Sequence, residues 1–112
     1  MGRKPQKNDS LPGSLDMLIL KMLSRGKLHG YAIAQSIHEN SGSEILVEEG
    51  SLYPALQRLE LNGWIDGEWG VTSSGRRARI YKITPSGRKQ LAHETERYRQ
   101  LTLAIARVME MD

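Results

Sequence analysis

Apolar side chains recur at helical spacing in three successive segments of the chain, which predicts three amphipathic helices. The first is predicted over about 14–24 and stops at Gly26. The second spans about 29–40 and the third about 50–62. The inward positions are predicted to be Leu15, Leu18, Ile19, Met22 and Leu23 in the first helix, Ile33, Ala34 and Ile37 in the second, and Leu52, Leu56 and Leu59 in the third.

The third helix carries a proline close to its start. Proline is tolerated in the first turn of a helix because the backbone N–H has no intrahelical partner there. If Gly50 or Ser51 is the N-cap, Pro54 is the third or fourth helical residue. The outward side chains of this helix are all able to hydrogen-bond, and they are Ser51, Tyr53, Gln57 and Arg58.

Strand patterns flank the third helix. The segment EILVEE predicts a short strand before it, and residues 64–84 predict a β-hairpin around the turn sequence TSSG. On the second strand of that hairpin Arg79 and Tyr81 share one face, and Lys82 lies on the other. Trp64 is predicted to pack on the core. For Trp69 two interpretations stay open, packing at the base of the hairpin or lining a small-molecule pocket at a dimer interface.

A last helix is predicted from the sequence TPSG to the end of the chain, with Thr84 as N-cap and Pro85 at the first helical position. Its apolar residues follow a three-four repeat typical of helix pairing. A helix of nearly 28 residues would be roughly 40 Å long, which a small domain does not cover alone. We therefore expect a homodimer, with intramolecular packing as the alternative. The predicted interface residues are Tyr98, Leu101, Ile105 and Val108, joined by Leu15, Leu18 and Met22 of the first helix.

The order of these elements, three helices, a two-stranded wing and a final helix, predicts an α+β, mainly α fold of the winged helix-turn-helix type. We divide the chain into a disordered basic tail over 1–12, a DNA-binding domain over 13–84 and a C-terminal dimerisation helix over 85–112. In such folds the third helix enters the major groove of DNA.

Composition narrows the function further. The net charge is +3 and the pI about 9.4, and residues 72–90 hold six Lys or Arg and no acid. The 112 residues include no Cys and three His outside any recognisable catalytic or metal motif, so we expect no enzyme activity, cofactor or metal site. With neither an apolar run long enough for a membrane span nor a secretory signal, the expected location is the cytoplasm.

These features favour double-stranded DNA as the partner. The wing cations Arg76, Arg77, Arg79 and Lys82 would contact phosphates, or form a solvated surface. Gln57 suits adenine and Arg58 suits guanine, although Arg58 could instead form a surface ion pair and Tyr53 could pack on the neighbouring helix. The alternative function is a protein-interaction module that binds an acidic partner.

Three segments together resemble the PadR family of bacterial transcriptional regulators: LPGSLDMLILKMLSRGKLHGYAIAQSI, VEEGSLYPALQRLELNGWI and RRARIYKITPSGRKQL. The short tail resembles the branch with a single C-terminal helix, common in acidobacterial-type members. The resemblance implies a winged-helix homodimer that represses genes, with DNA contacts from the second and third helices and the wing. It adds Tyr31 of the HGY sequence to the predicted DNA-binding residues, and it implies a possible small hydrophobic effector between subunits.

Overall fold

The computed structural model describes residues 14–112, and the predicted tail over 1–12 lies outside them. Four helices and a small sheet form the described part of the chain, which confirms the α+β, mainly α architecture. The elements are α1 (Ser14–Leu23), β1 (Leu28–His29), α2 (Gly30–Asn40), α3 (Glu49–Leu61), β2 (Ile65–Val71), β3 (Arg77–Ile83) and α4 (Pro85–Met109).

A single apolar cluster holds α1, α2, α3 and the base of the sheet together. Leu52, Leu56 and Leu59 of α3 are buried in it, as the helical spacing predicts. Leu20 of α1 is also fully buried although it lies outside the predicted stripe, because α2, α3, α4 and β3 surround α1. Trp64 packs against the cluster from the turn after α3, which confirms its predicted position.

The sheet has three antiparallel strands in the order β1-β3-β2. The hairpin of β2 and β3 confirms the predicted wing, and its turn closes where the Thr72 N–H donates to the Arg76 carbonyl at 2.8 Å. Gly75 in this turn has a φ of 86°, a left-handed conformation that favours glycine. We use "the wing" for β2, β3 and this turn.

The prediction of a strand in EILVEE was wrong, because residues 44–48 form a loop and Glu49 begins α3. The backbone of Ile45 in this loop pairs with side chains from the end of α2 and the turn after it: the Ile45 N–H donates to Ser41 Oγ at 2.9 Å, and the Ile45 carbonyl lies 3.1 Å from His38 Nδ1. The third strand is instead Leu28–His29, which pairs with Tyr81 and Ile80 of β3.

Helix α3 begins earlier than the sequence predicts. Glu48 is the N-cap and Glu49 the first helical residue, so that Pro54 is the sixth rather than the third or fourth. The missing proline N–H therefore removes one bond within the helix, to the carbonyl of Gly50. Gly50 and Pro54 both lie on the exposed side of α3, where water can satisfy that carbonyl.

Helix α4 starts as predicted, with Thr84 as N-cap and Pro85 in the first turn. The Thr84 hydroxyl accepts from the Gly87 N–H at 3.0 Å and donates to the Gly63 carbonyl at 2.7 Å, which joins α4 to the end of α3. Beyond Leu91 the helix leaves the core, and the described residues extend over 56 Å in their longest dimension. None of the described helices is long and apolar enough to cross a membrane.

Candidate nucleic-acid interface

The outward face of α3 presents Tyr53 and Gln57, with Ser51 half-buried at its N-terminal end. The Tyr53 ring lies over the first residue of α2, because a Cβ on Gly30 would be only 3.2 Å from Tyr53 Cε1. The ring nevertheless stays 45% exposed. Tyr53 therefore packs on the neighbouring helix, the alternative weighed from sequence, and also keeps surface available for a ligand.

Arg58 forms a surface ion pair, which the sequence analysis gave as the alternative to a contact with guanine. Its guanidinium donates to the Asp16 carboxylate of α1 at 2.8 Å. The pair joins the outward side of α3 to the first turn of α1. In this arrangement the charge of Arg58 faces a carboxylate of its own chain.

A groove of about 500 Å³ runs between the start of α2, the start of α3 and the turn of the wing. Tyr31 and Gln35 line it from α2, Glu49 from α3, and Arg76 and Arg77 from the wing. The start of α2 is fixed by His29, whose Nδ1 accepts from the Ala32 N–H at 3.3 Å. The groove thus brings together side chains from three elements that are remote in sequence.

Two arginines at the tip of the wing are exposed. Within residues 14–112, neither Arg76 nor Arg77 lies within salt-bridge distance of a carboxylate. Arg77 stacks over the Trp69 ring, with 5.0 Å from its Cζ to the ring centroid. Trp69 is 61% exposed and belongs to the surface of the wing. Its ring supports the Arg77 guanidinium through a cation–π contact.

The other two wing cations lie in different surroundings. Arg79 donates to the Glu60 carboxylate of α3 and to the Gly67 carbonyl of β2. Its neighbour Tyr81 is buried, and this burial raises the pKa of the Tyr81 phenol, against the effect of the Arg79 guanidinium. Lys82 lies on the opposite face, paired in register with Asp66. Only Arg76 and Arg77 among these four cations line the groove with Tyr31.

The predicted dimer residues differ in how far they are exposed. Leu15 is only 7% exposed and belongs to the core of its own chain, which leaves little surface for a partner. Leu18 and Met22 are half-buried at the edge of the core. The stripe on α4 is exposed along its whole length, and it consists of Tyr98, Leu101, Ile105 and Val108.

Sequence reasoning missed the carboxylates that hold the arginines. Glu60 is separated from Arg79 by 19 positions along the chain, and Asp16 from Arg58 by 42. No local sequence pattern indicates pairs at such separations. It also missed Gln35 and Glu49, which reach the groove only because the tertiary structure brings α2, α3 and the wing together.

Comparisons with known proteins agree with this geometry. Residues 19–93 match the model of the transcriptional regulator PadR-like family. The chain is 31% identical to a solved transcriptional regulator of Clostridium thermocellum, with a TM-score of 0.80 over 88% of this chain and 96% of that one. It is 32% identical to a transcriptional regulator of Mycobacterium tuberculosis over 74% of each chain. It is 29% identical to the negative transcriptional regulator PadR of Bacillus subtilis, over 69% of this chain and 42% of that protein.

Proposed function

Since this chain belongs to the PadR-like family of transcriptional regulators, and is therefore a DNA-binding regulator rather than an enzyme, we propose that it is a repressor that binds a pseudo-palindromic operator as a homodimer. The groove between α2, α3 and the wing carries the proposal, because it places a tyrosine beside the exposed face of α3, together with two arginines that lie near no carboxylate of residues 14–112 at salt-bridge distance. The Bacillus subtilis relative is a negative transcriptional regulator, which supports repression.

The residues divide by role. Gln57 and Ser51 of α3 would meet base edges, since an amide pairs with adenine and a hydroxyl with several bases. Tyr31, Tyr53, Arg76 and Arg77 would contact the phosphates that border the groove. Lys82 would add a more distant charge from the other face of the wing. Arg58 and Arg79, both predicted as DNA contacts, already donate to carboxylates of this chain and would act through α3 and the wing.

The stripe on α4 supports the dimer. Each of its four apolar residues is at least half exposed in the single chain, and apolar surface at this spacing is stabilised by pairing with a second helix. A two-fold axis through such a pair would place two α3 helices on half-sites about one turn of DNA apart. A small hydrophobic effector would bind in the open groove of about 450 Å³ between α1 and α4, beside Tyr98 and Leu101.

The direct test is a gel shift with the protein's own upstream region, with a scrambled duplex of equal length and composition as competitor. A repressor is expected to prefer the native duplex at every salt concentration. A protein-interaction module with an acidic partner would bind both duplexes alike and weaken with salt in the same way, so that equal binding would reject the proposal.

Replacing Arg76 and Arg77 together by Ala is expected to weaken binding to every duplex. Each arginine that contacts a phosphate releases about one counterion, so the slope of log K against log salt should fall by up to about two. Titrations of native and scrambled duplex over a range of salt measure this. An unchanged slope would show that the tip of the wing does not touch the backbone.

Gln57→Ala is expected to act on specificity instead. Loss of a bidentate contact to one base costs about 1–3 kcal/mol of discrimination, so affinity for the native duplex should fall while affinity for the scrambled one stays. The ratio of the two dissociation constants is the measurement. A proportional loss on both duplexes would mean that Gln57 holds the backbone and that another residue reads the base.

A further inference from the structure

The Arg79 side chain lies between the wing and α3 and is hydrogen-bonded to both. Its guanidinium lies 2.5 Å from Glu60 Oε2 on α3 and 3.1 Å from the Gly67 carbonyl on β2. The side chain is 34% exposed. One arginine therefore joins the recognition helix to both strands of the wing.

Two aromatic rings and a glycine complete this site. The Arg79 Cζ lies 5.9 Å from the centroids of both Trp69 and Tyr81. A Cβ on Gly67 would lie 2.7 Å from Arg79 Nη2 and 2.9 Å from Tyr81 Cε1. The absence of a side chain at Gly67 thus makes room for the guanidinium, which the surrounding groups hold in one position.

The wing meets α3 through a short turn that bends at a glycine, and the tip of the wing, residues 73–77, is exposed, so the position of the tip depends on the angle between the wing and α3. Gly63 has a φ of 75° in the turn between α3 and β2. A strand of seven residues is about 23 Å long, so a rotation of roughly 10° at its base moves the tip by about 4 Å. A movement of that size takes Arg76 and Arg77 out of hydrogen-bonding distance of a phosphate.

We propose that Arg79 is a positioning residue: together with Glu60 it clamps the wing to α3 at the angle at which the tip of the wing and the face of α3 reach the same duplex. This inference rests on the proposed DNA-binding function. It assigns Arg79 a role different from the phosphate contact that the basic sequence of the wing predicts.

The two roles give opposite expectations for Glu60→Gln. If Arg79 bound a phosphate, removal of a neighbouring acid would strengthen DNA binding, since it frees the guanidinium and removes a repulsive charge. If Arg79 is the clamp, the same change weakens binding. Glu68→Gln is the matched control, because Glu68 is an exposed acid on the opposite face of β2.

Hydrogen exchange of the full chain without DNA tests the clamp itself. Glu60→Gln is expected to speed exchange of amides in 65–83 and to leave α1 unchanged, whereas Glu68→Gln is expected to change neither. Unaltered exchange in the wing would overturn the proposal. Faster exchange in a protein that treats native and scrambled duplexes alike would preserve the clamp and reject the proposed function instead.

DNA titrations give the second readout. Glu60→Gln and Arg79→Gln are each expected to weaken binding about tenfold, the effect of one lost charge-assisted hydrogen bond, and the double variant no further. In the Glu60→Gln background the Arg76→Ala, Arg77→Ala pair should cost less than in the wild type, because the tip is already misplaced. Stronger binding by Glu60→Gln, or full additivity with the pair, would overturn the proposal. The proposal would also be overturned if Glu60→Gln lowered the Tm but left DNA affinity unchanged at temperatures below that Tm.

Discussion

Ile105→Glu is expected to convert the proposed homodimer into a monomer and to lower affinity for the native duplex by about a hundredfold or more. Ile105 lies in the middle of the exposed α4 stripe, between Leu101 and Val108. A carboxylate at this position would be desolvated when the two helices pair. The free energy of that desolvation is far larger than the stabilisation that one apolar contact contributes to the helix pair. A monomer holds one half-site only and loses the avidity of the second.

Leu103→Glu is the matched control for this change. Leu103 is 54% exposed and Ile105 is 52% exposed, so the two substitutions alter the single chain to a similar degree. Two residues correspond to about 200° around a helix, which places Leu103 on the other side of α4. Light scattering should therefore report a monomer for Ile105→Glu and a dimer for Leu103→Glu. A persistent dimer for both would reject this face of α4 as the interface.

Gly87→Ala is expected to lower the free energy of unfolding by about 1–3 kcal/mol, the range for overfilling a packed site. A Cβ at Gly87 would lie 2.0 Å from the Trp64 carbonyl oxygen and 2.8 Å from Ile83 Cγ1. A backbone oxygen cannot rotate away as a side chain can, so the first turn of α4 has to move. That movement breaks the hydrogen bonds by which Thr84 joins α4 to Gly63 and Trp64.

Thermal denaturation at a fixed protein concentration measures the effect of Gly87→Ala, because the Tm of a dimer depends on concentration. A shift of roughly 4–8 °C is expected for each kcal/mol in a domain of about this size. Gly50→Ala is the control, since it adds a methyl group to a helical glycine with nothing within 4 Å. It is expected to leave stability unchanged or to raise it slightly. Equal Tm values for the two variants would contradict the packing at Gly87.

Local sequence patterns were sufficient to locate the four helices, the hairpin and most of the core. Leu52, Leu56 and Leu59 repeat at helical spacing, and Thr84 with Pro85 marks the start of a helix, so each signal lies within a few residues. The family resemblance likewise rests on short contiguous segments. These features follow from periodicity and capping, which depend only on near neighbours along the chain.

The third strand and the partners of the arginines depended on contacts between distant residues. Leu28–His29 is too short to show a strand pattern and becomes a strand only by pairing with β3. From sequence, Arg58 and Arg79 resemble Arg76 and Arg77, yet the fold places Asp16 and Glu60 against the first two and, within residues 14–112, no carboxylate at salt-bridge distance from the others. The sequence by itself determined which cations the wing and α3 carry. Only the tertiary structure decided which of them pair with a carboxylate of the same chain, because an ion pair depends on distance in space and not along the chain.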